Sequence, residues 1–130
     1  MILFVDQTGQ LGGAELCLAD IARHRRDDGR VLLLSGGPFA DLLRGMGVRV
    51  DILPLPEPLS RITKKAGLSD LVMGFPSLAG HVLALSGQIR KADVIYLNTA
   101  KALLHGTAAN LFPGRPCIFH LHDLWGVGLF

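Results

Sequence analysis

Ile2-Leu3-Phe4-Val5, followed after a short polar stretch by Gly12-Gly13-Ala14-Glu15, decides how this chain is read. An apolar run of strand length passes through glycines into a segment whose apolar residues recur at helical spacing: Ala14, Cys17, Leu18, Ile21 and Ala22. A strand that turns on glycines into a helix leaves backbone N–H groups and the positive end of the helix dipole facing one point. Such a point suits a phosphate. Gly9, Gly12 and Gly13 do not form the G-x-G-x-x-G of dinucleotide enzymes, and no Lys-Ser/Thr pair follows as in a P-loop.

Outward from that stretch, short apolar runs alternate with longer helical ones, the pattern of repeated βα units. Gly29 is expected to end the first helix, after the basic residues Arg23, Arg25 and Arg26. Strands are expected at 30–35, at 48–53 near a sheet edge, at 94–97 and at 117–121. A short helix follows Gly36-Gly37-Pro38 through Leu43. A second is expected from Pro76 to Ile89, with 70–75 as an earlier turn of it bent at the proline. A third runs from an N-cap at Thr99 through Leu111. The segment 54–69, with Arg61, Lys64 and Lys65, is not assigned to an element; it is read either as a solvated loop or as a contact for an anionic acceptor or lipid headgroups. Right-handed crossovers then give an α/β fold, a Rossmann-like three-layer sandwich with a parallel sheet of about five strands in the order 3-2-1-4-5. The ligand is expected at the switch point between strands one and four.

Composition fits that architecture. Over 130 residues, 49% are hydrophobic, 18% are charged and sixteen are glycine, which suits a buried parallel sheet within one domain, 1–130, and not a disordered chain. A net charge of +2 and scattered aromatics give no support to nucleic-acid binding. Cys17 and Cys117 match no C-x-x-C pattern and are read as reduced core thiols, pointing to a reducing, cytoplasmic compartment. The apolar start is broken at once by Asp6 and Gln7, so no secretion signal is read there. The stretch 71–89 lacks Asp, Glu, Lys and Arg, but its glycines, proline and polar residues favour a buried helix over a membrane span.

In open α/β sheets ligands bind beyond the carboxyl ends of strands. Four groups fall there: residues 7–13, Ser35-Gly36-Gly37, Asn98-Thr99 and His120-Leu121-His122-Asp123. A turn needing positive φ explains one or two of the glycines, whereas three within five residues favour close approach of a ligand. His120 and His122 share a strand face, as a two-histidine metal site would need, but no third ligand stands at motif spacing and no metal is assigned. Asn98 and Thr99 are read either as acceptor contacts or as a turn and an N-cap, and Glu15 as a residue favoured by the dipole in a helix's first turn. His24, His81 and His105 fall in predicted helices without assigned partners.

The order and spacing of Met1–Val5, Gly12-Gly13-Ala14-Glu15, Asp93-Val94-Ile95-Tyr96-Leu97-Asn98 and Phe119-His120-Leu121-His122-Asp123-Leu124-Trp125 resemble the N-terminal, acceptor-side domain of family 4 GT-B glycosyltransferases over nearly the whole chain. The resemblance implies retaining transfer of a sugar from a nucleotide-sugar donor to a carbohydrate or lipid-linked acceptor, without a cofactor. His122 would then face the donor sugar as the catalytic residue, and Gly12 and Gly13 would lie against the donor diphosphate. Asn98, Thr99 and His120 would fall on the acceptor side. It also implies a C-terminal nucleotide-binding domain, or a partner subunit supplying one, beyond this chain, and a cytoplasmic setting with peripheral contact at the inner membrane face.

Three further classes compete with this reading. A binding or interaction subunit that docks on a nucleotide-binding partner, or a remnant that oligomerises, fits the apolar Trp125, Val127, Leu129 and Phe130, which need cover and suggest a homo-dimer. A receiver-like signalling domain fails because the third strand ends in Leu53-Pro54 with no phosphoacceptor Asp and no Lys follows the fifth. A dinucleotide oxidoreductase fails on glycine spacing and on the lack of an acidic residue at the tip of 31–35.

Overall fold

β1 (Ile2–Asp6) lies at the centre of a five-stranded sheet, because its apolar residues serve both faces. The computed structural model describes residues 1–7, 11–54 and 68–120, with 68–75 described for their backbone alone. Along these run α1 (Gly13–His24), β2 (Gly29–Leu33), α2 (Pro38–Gly45), β3 (Val50–Ile52), α3 (Leu68–Ile89), β4 (Val94–Leu97), α4 (Ala100–Ala109) and β5 (Cys117–Phe119). The strands are all parallel, in the order β3-β2-β1-β4-β5. This is the order expected from the sequence.

Period-two alternation sorts each strand's side chains between two cores. Phe4, Val31 and Leu33 pack with Leu18, Ala22, Phe39 and Leu43 under α1 and α2. Leu3, Val5, Leu32, Ile95 and Leu97 pack with Leu85, Ile89, Ala102 and Ala109 under α3 and α4. The molecule is therefore three-layered, with β3 and β5 at the sheet edges. At the β3 edge, Arg30 Nη1 donates to Asp51 Oδ2 at 2.7 Å, joining β2 to β3 across the top of the ladder.

Several local expectations are corrected. The buried stripe of α1 is Glu15, Leu18, Ala19 and Ala22, rotated from the expected one, so Cys17 faces outward. Cys117 is also exposed, on the edge strand; both are free thiols, and neither is a core residue. Gly29 does not end α1. The helix stops at His24 with Arg25 as its cap, and Gly29 opens β2, where a Cβ would come within 2.6 Å of the Arg25 carbonyl and 2.9 Å of the Phe4 ring. Close approach of the α1–β2 turn to β1 is what demands glycine there.

α2 starts at Pro38 behind Gly37, whose φ of 152° is open to glycine alone among ordinary residues. α3 begins at Leu68, so 70–75 are part of the same helix, as expected, and Pro76 sits inside it. α4 ends at Ala109, two residues short of Leu111, with Asn110 as its cap. No helix among the described residues is long and apolar enough to cross a membrane.

Candidate functional site

All strands run the same way, so residues following β1, β2, β4 and β5 gather along one edge of the sheet, at the switch point between β1 and β4. Gly12 is the N-cap of α1 in an extended conformation (φ −147°, ψ −178°), and among the described residues no side chain caps the helix. Its first intrahelical bond runs from the Leu16 N–H to the Gly12 carbonyl, leaving the preceding N–H groups to point out of the helix end. Neither Gly12 nor Gly13 has positive φ, so turn geometry does not account for them. Space does. Among the described residues, a Cβ on Gly13 would meet nothing within 4 Å, and one on Gly12 would meet the Glu15 carboxylate at 2.7 Å. The start of α1 is open on the outside and closed underneath by Glu15, which is buried instead of standing as a solvated dipole partner.

Beneath this turn lies a polar node that sequence reasoning missed. Asp6, fully buried at the end of β1, accepts a 2.8 Å bond from Asn98 Nδ2 and a 2.7 Å bond from the Gln7 N–H. Asn98 Nδ2 also donates to the Ala14 carbonyl at 3.1 Å. Burial pushes the Asp6 carboxyl up to about 6; the bonds from Asn98 and Gln7 pull it down, and nearby Glu15 adds a further upward push. The signal for this node was a lone Asp at a strand end opposite Asn98-Thr99, which one-dimensional spacing does not pair.

Asn98 is thus fully buried below the cleft surface, its amide engaged by β1 and α1. Thr99 caps α4, accepting from the Ala102 N–H at 3.3 Å, as the turn-and-cap reading expected. His120 follows β5, and its Nδ1 shares a 2.5 Å hydrogen bond with the Tyr96 hydroxyl. Tyr96, also missed, packs its ring on Phe4 at 5.3 Å, and burial raises its hydroxyl pKa, with Cys17 adding to the rise. Asp6, Gly12, Gly13, Asn98 and Thr99 are brought together at one end of the sheet, while His120 stands across β4 from them. His122 and the apolar residues from Trp125 to Phe130 lie outside the described residues, as do Gly9, Arg61, Lys64 and Lys65.

The architecture defines a Rossmann-like α/β domain with its open helix end at the switch point, a class shared by proteins of unrelated activity. Among solved structures, it is similar to HepE of Anabaena: 37% identity over 94% of this chain and 30% of that one, TM-score 0.74, in a crystal structure with UDP and glucose. The crystal structure of HepE with UDP-glucose gives 37% identity and a TM-score of 0.75, over 94% of this chain and 29% of that one. The lipopolysaccharide outer core galactosyltransferase WaaB shares the fold at 13% identity and a TM-score of 0.57, over 91% of this chain and 31% of that one. The chain thus resembles one domain of GT-B glycosyltransferases and spans about 30% of the length of the HepE chains it matches. No protein-family model and no curated protein matches it.

Proposed function

We propose that this chain is the acceptor-side domain of a retaining glycosyltransferase of the family 4 type, transferring sugar from a nucleotide-sugar when completed by a nucleotide-binding domain. One observation carries the reading: an uncapped helix end, open at Gly13, at the switch point of a domain 37% identical to a protein crystallised with UDP-glucose. The N–H groups of the first turn of α1 are donors fixed before reaction, suited to the charge that grows on a departing diphosphate. In this reading His122 faces the donor sugar. Thr99 and His120 stand on the acceptor side, and Asn98 serves it from below by fixing Thr99 and α1. The acceptor is a carbohydrate or a lipid-linked one, and the domain works in the cytoplasm or at the inner membrane face.

A titration of the ¹⁵N-labelled chain with UDP-glucose tests this. The amides of Gly12 to Leu16 should shift with a dissociation constant on the order of millimolar, worth about 4 kcal/mol, because the other half of the nucleotide site is supplied elsewhere. Shifts confined to other regions, or none at 10-fold higher ligand, would reject the donor site.

A second reading, a non-catalytic subunit that pairs with a copy of itself, is favoured by one feature. A shallow groove of about 550 Å³ lined by Leu103, Leu104, Thr107, Ala108 and Leu111 runs along α4, with Leu104, Leu111 and nearby Phe112 exposed. Light scattering at dilute concentration separates the two, since self-pairing requires a dimer that Leu104→Ser with Leu111→Ser dissolves.

A further inference from the structure

We infer that Asp6 is a positioning residue for the turn at Gly12–Glu15, acting through the Asn98 amide. The inference rests on the donor reading only in naming a diphosphate as what that turn receives. Asn98 Nδ2 has two acceptors: Asp6 Oδ2 on β1 and the carbonyl of Ala14 in the first turn of α1. Its backbone N–H is spent on the Val5 carbonyl, 3.1 Å away, so the residue is fixed to β1 at both ends. Asp6 is held in turn by the Gln7 N–H, and its own carbonyl accepts from the Leu34 N–H at 3.0 Å. One buried carboxyl therefore sets the height of α1's first turn above the ends of β1 and β4. Among the described residues, the charged group facing Asp6 is Glu15 from α1; the β4–α4 and β2 sides present Asn98, Thr99 and Leu34.

The arrangement places a second carboxylate, Glu15, against Gly12 on the inner side of the same turn. Two acids under a site for an anion oppose the ligand unless one of them holds a proton. Asp6, deeply buried and already reluctant to ionise, is the one suited to hold it. The turn is consequently expected to respond to the protonation of a residue that never touches the ligand.

The test uses the full chain, ¹⁵N-labelled, as wild type, Asp6→Asn, and the exchange Asp6→Asn with Asn98→Asp. The exchange restores a donor–acceptor pair between β1 and β4 but leaves no side-chain amide at position 98 to donate to the Ala14 carbonyl. A merely structural pair would be rescued in full. A positioning pair would regain thermal stability while amide exchange at Ala14, Glu15 and Leu16 stays at least 10-fold faster than in wild type and UDP-induced shifts at Gly13 stay reduced. In wild type the Gly12–Glu15 amides should also titrate together with a midpoint near 6, and this step should vanish in Asp6→Asn. Wild-type exchange rates in the exchange variant, or a titration unchanged by Asp6→Asn, would overturn the inference. If UDP shifts nothing at Gly13 in wild type while exchange and titration behave as stated, the donor reading falls and the positioning role stands.

Discussion

The Tyr96 hydroxyl and the Nδ1 of His120 share a hydrogen bond of 2.5 Å, and their rings meet edge to face with centroids 5.9 Å apart. β4 thereby orients the residue that follows β5 and ties its Nδ1 to the phenol. Tyr96→Phe keeps the ring contacts and removes the bond. It is expected to cost about 1 kcal/mol in urea unfolding and to change the tautomer balance of His120 read from its ¹⁵N shifts. Unaltered ¹⁵N shifts would mean that the phenol does not govern the imidazole.

Glycines at three positions should respond in opposite ways to a side chain. Gly13→Val enters open space without positive φ, so the melting temperature should hardly move while UDP binding weakens at least 10-fold. At Gly106 a Cβ would stand 2.4 Å from Leu97 Cδ2, a side chain with no exposed surface and no room to yield. Gly106→Ala and Gly29→Ala should each cost about 1–3 kcal/mol of stability. Thermal and urea melts of the three variants decide the matter, and a destabilised Gly13→Val would count against an open helix end.

Stability should depend on pH through two groups that pull against each other. Asp6 binds its proton more tightly folded, at about 6, than at its ordinary 3.8. Its stabilising contribution is therefore complete below about pH 4 and is lost as pH rises to 6, by roughly 3 kcal/mol. Burial, then His81 and Lys101, lower the pKa of His105 below its ordinary 6.5, so its contribution is present at neutral pH and lost on acidification. Asp6→Asn should leave a curve that only rises with pH across the acid range, and His105→Gln one that falls between 4 and 6. Superimposable curves for wild type and Asp6→Asn would refute the role assigned to the buried acid.

Thr99 works as the cap of α4, its side chain accepting from the Ala102 N–H beside the buried Asp6–Asn98 pair. Thr99→Ala should cost about 1–2 kcal/mol, and Thr99→Ser should recover most of it because the hydroxyl is retained. If alanine proves neutral in denaturant unfolding, the cap does not contribute.

Sheet order was legible because it follows from alternation of short apolar runs with helical ones and from the handedness of crossovers. The Thr99 cap and the edge position of β3 were legible for similarly local reasons. What escaped was set by contacts between distant segments. Cys17 looked like a core residue because it stands at helical spacing from Ala14 and Ile21, yet α1 is rotated so that Glu15 turns inward beside Gly12. Gly29 looked like a helix stop, but its reason is the Phe4 ring on another strand. Asp6 and Asn98 are far apart in sequence and 2.8 Å apart in space, so their pairing is a product of β1 lying next to β4. Gly12 and Gly13 could be picked out, but only the built turn tells that backbone strain is not their reason and that Gly13 faces open space while Gly12 lies against Glu15.

The central place of β1 also sets a timetable for folding. One flank is filled by a nearby segment, where Ile2 pairs with Gly29, and the other by a remote one, where Ile2 pairs with Val94. Closing the longer loop costs about 1 kcal/mol more in chain entropy, and on a ribosome that segment emerges much later. Until it does, β1 carries an unpaired edge, and the apolar faces of Leu3 and Val5 await α3 and α4. Residues 2–5, which decide the fold, are thus also the ones that nascent-chain chaperones have most reason to guard.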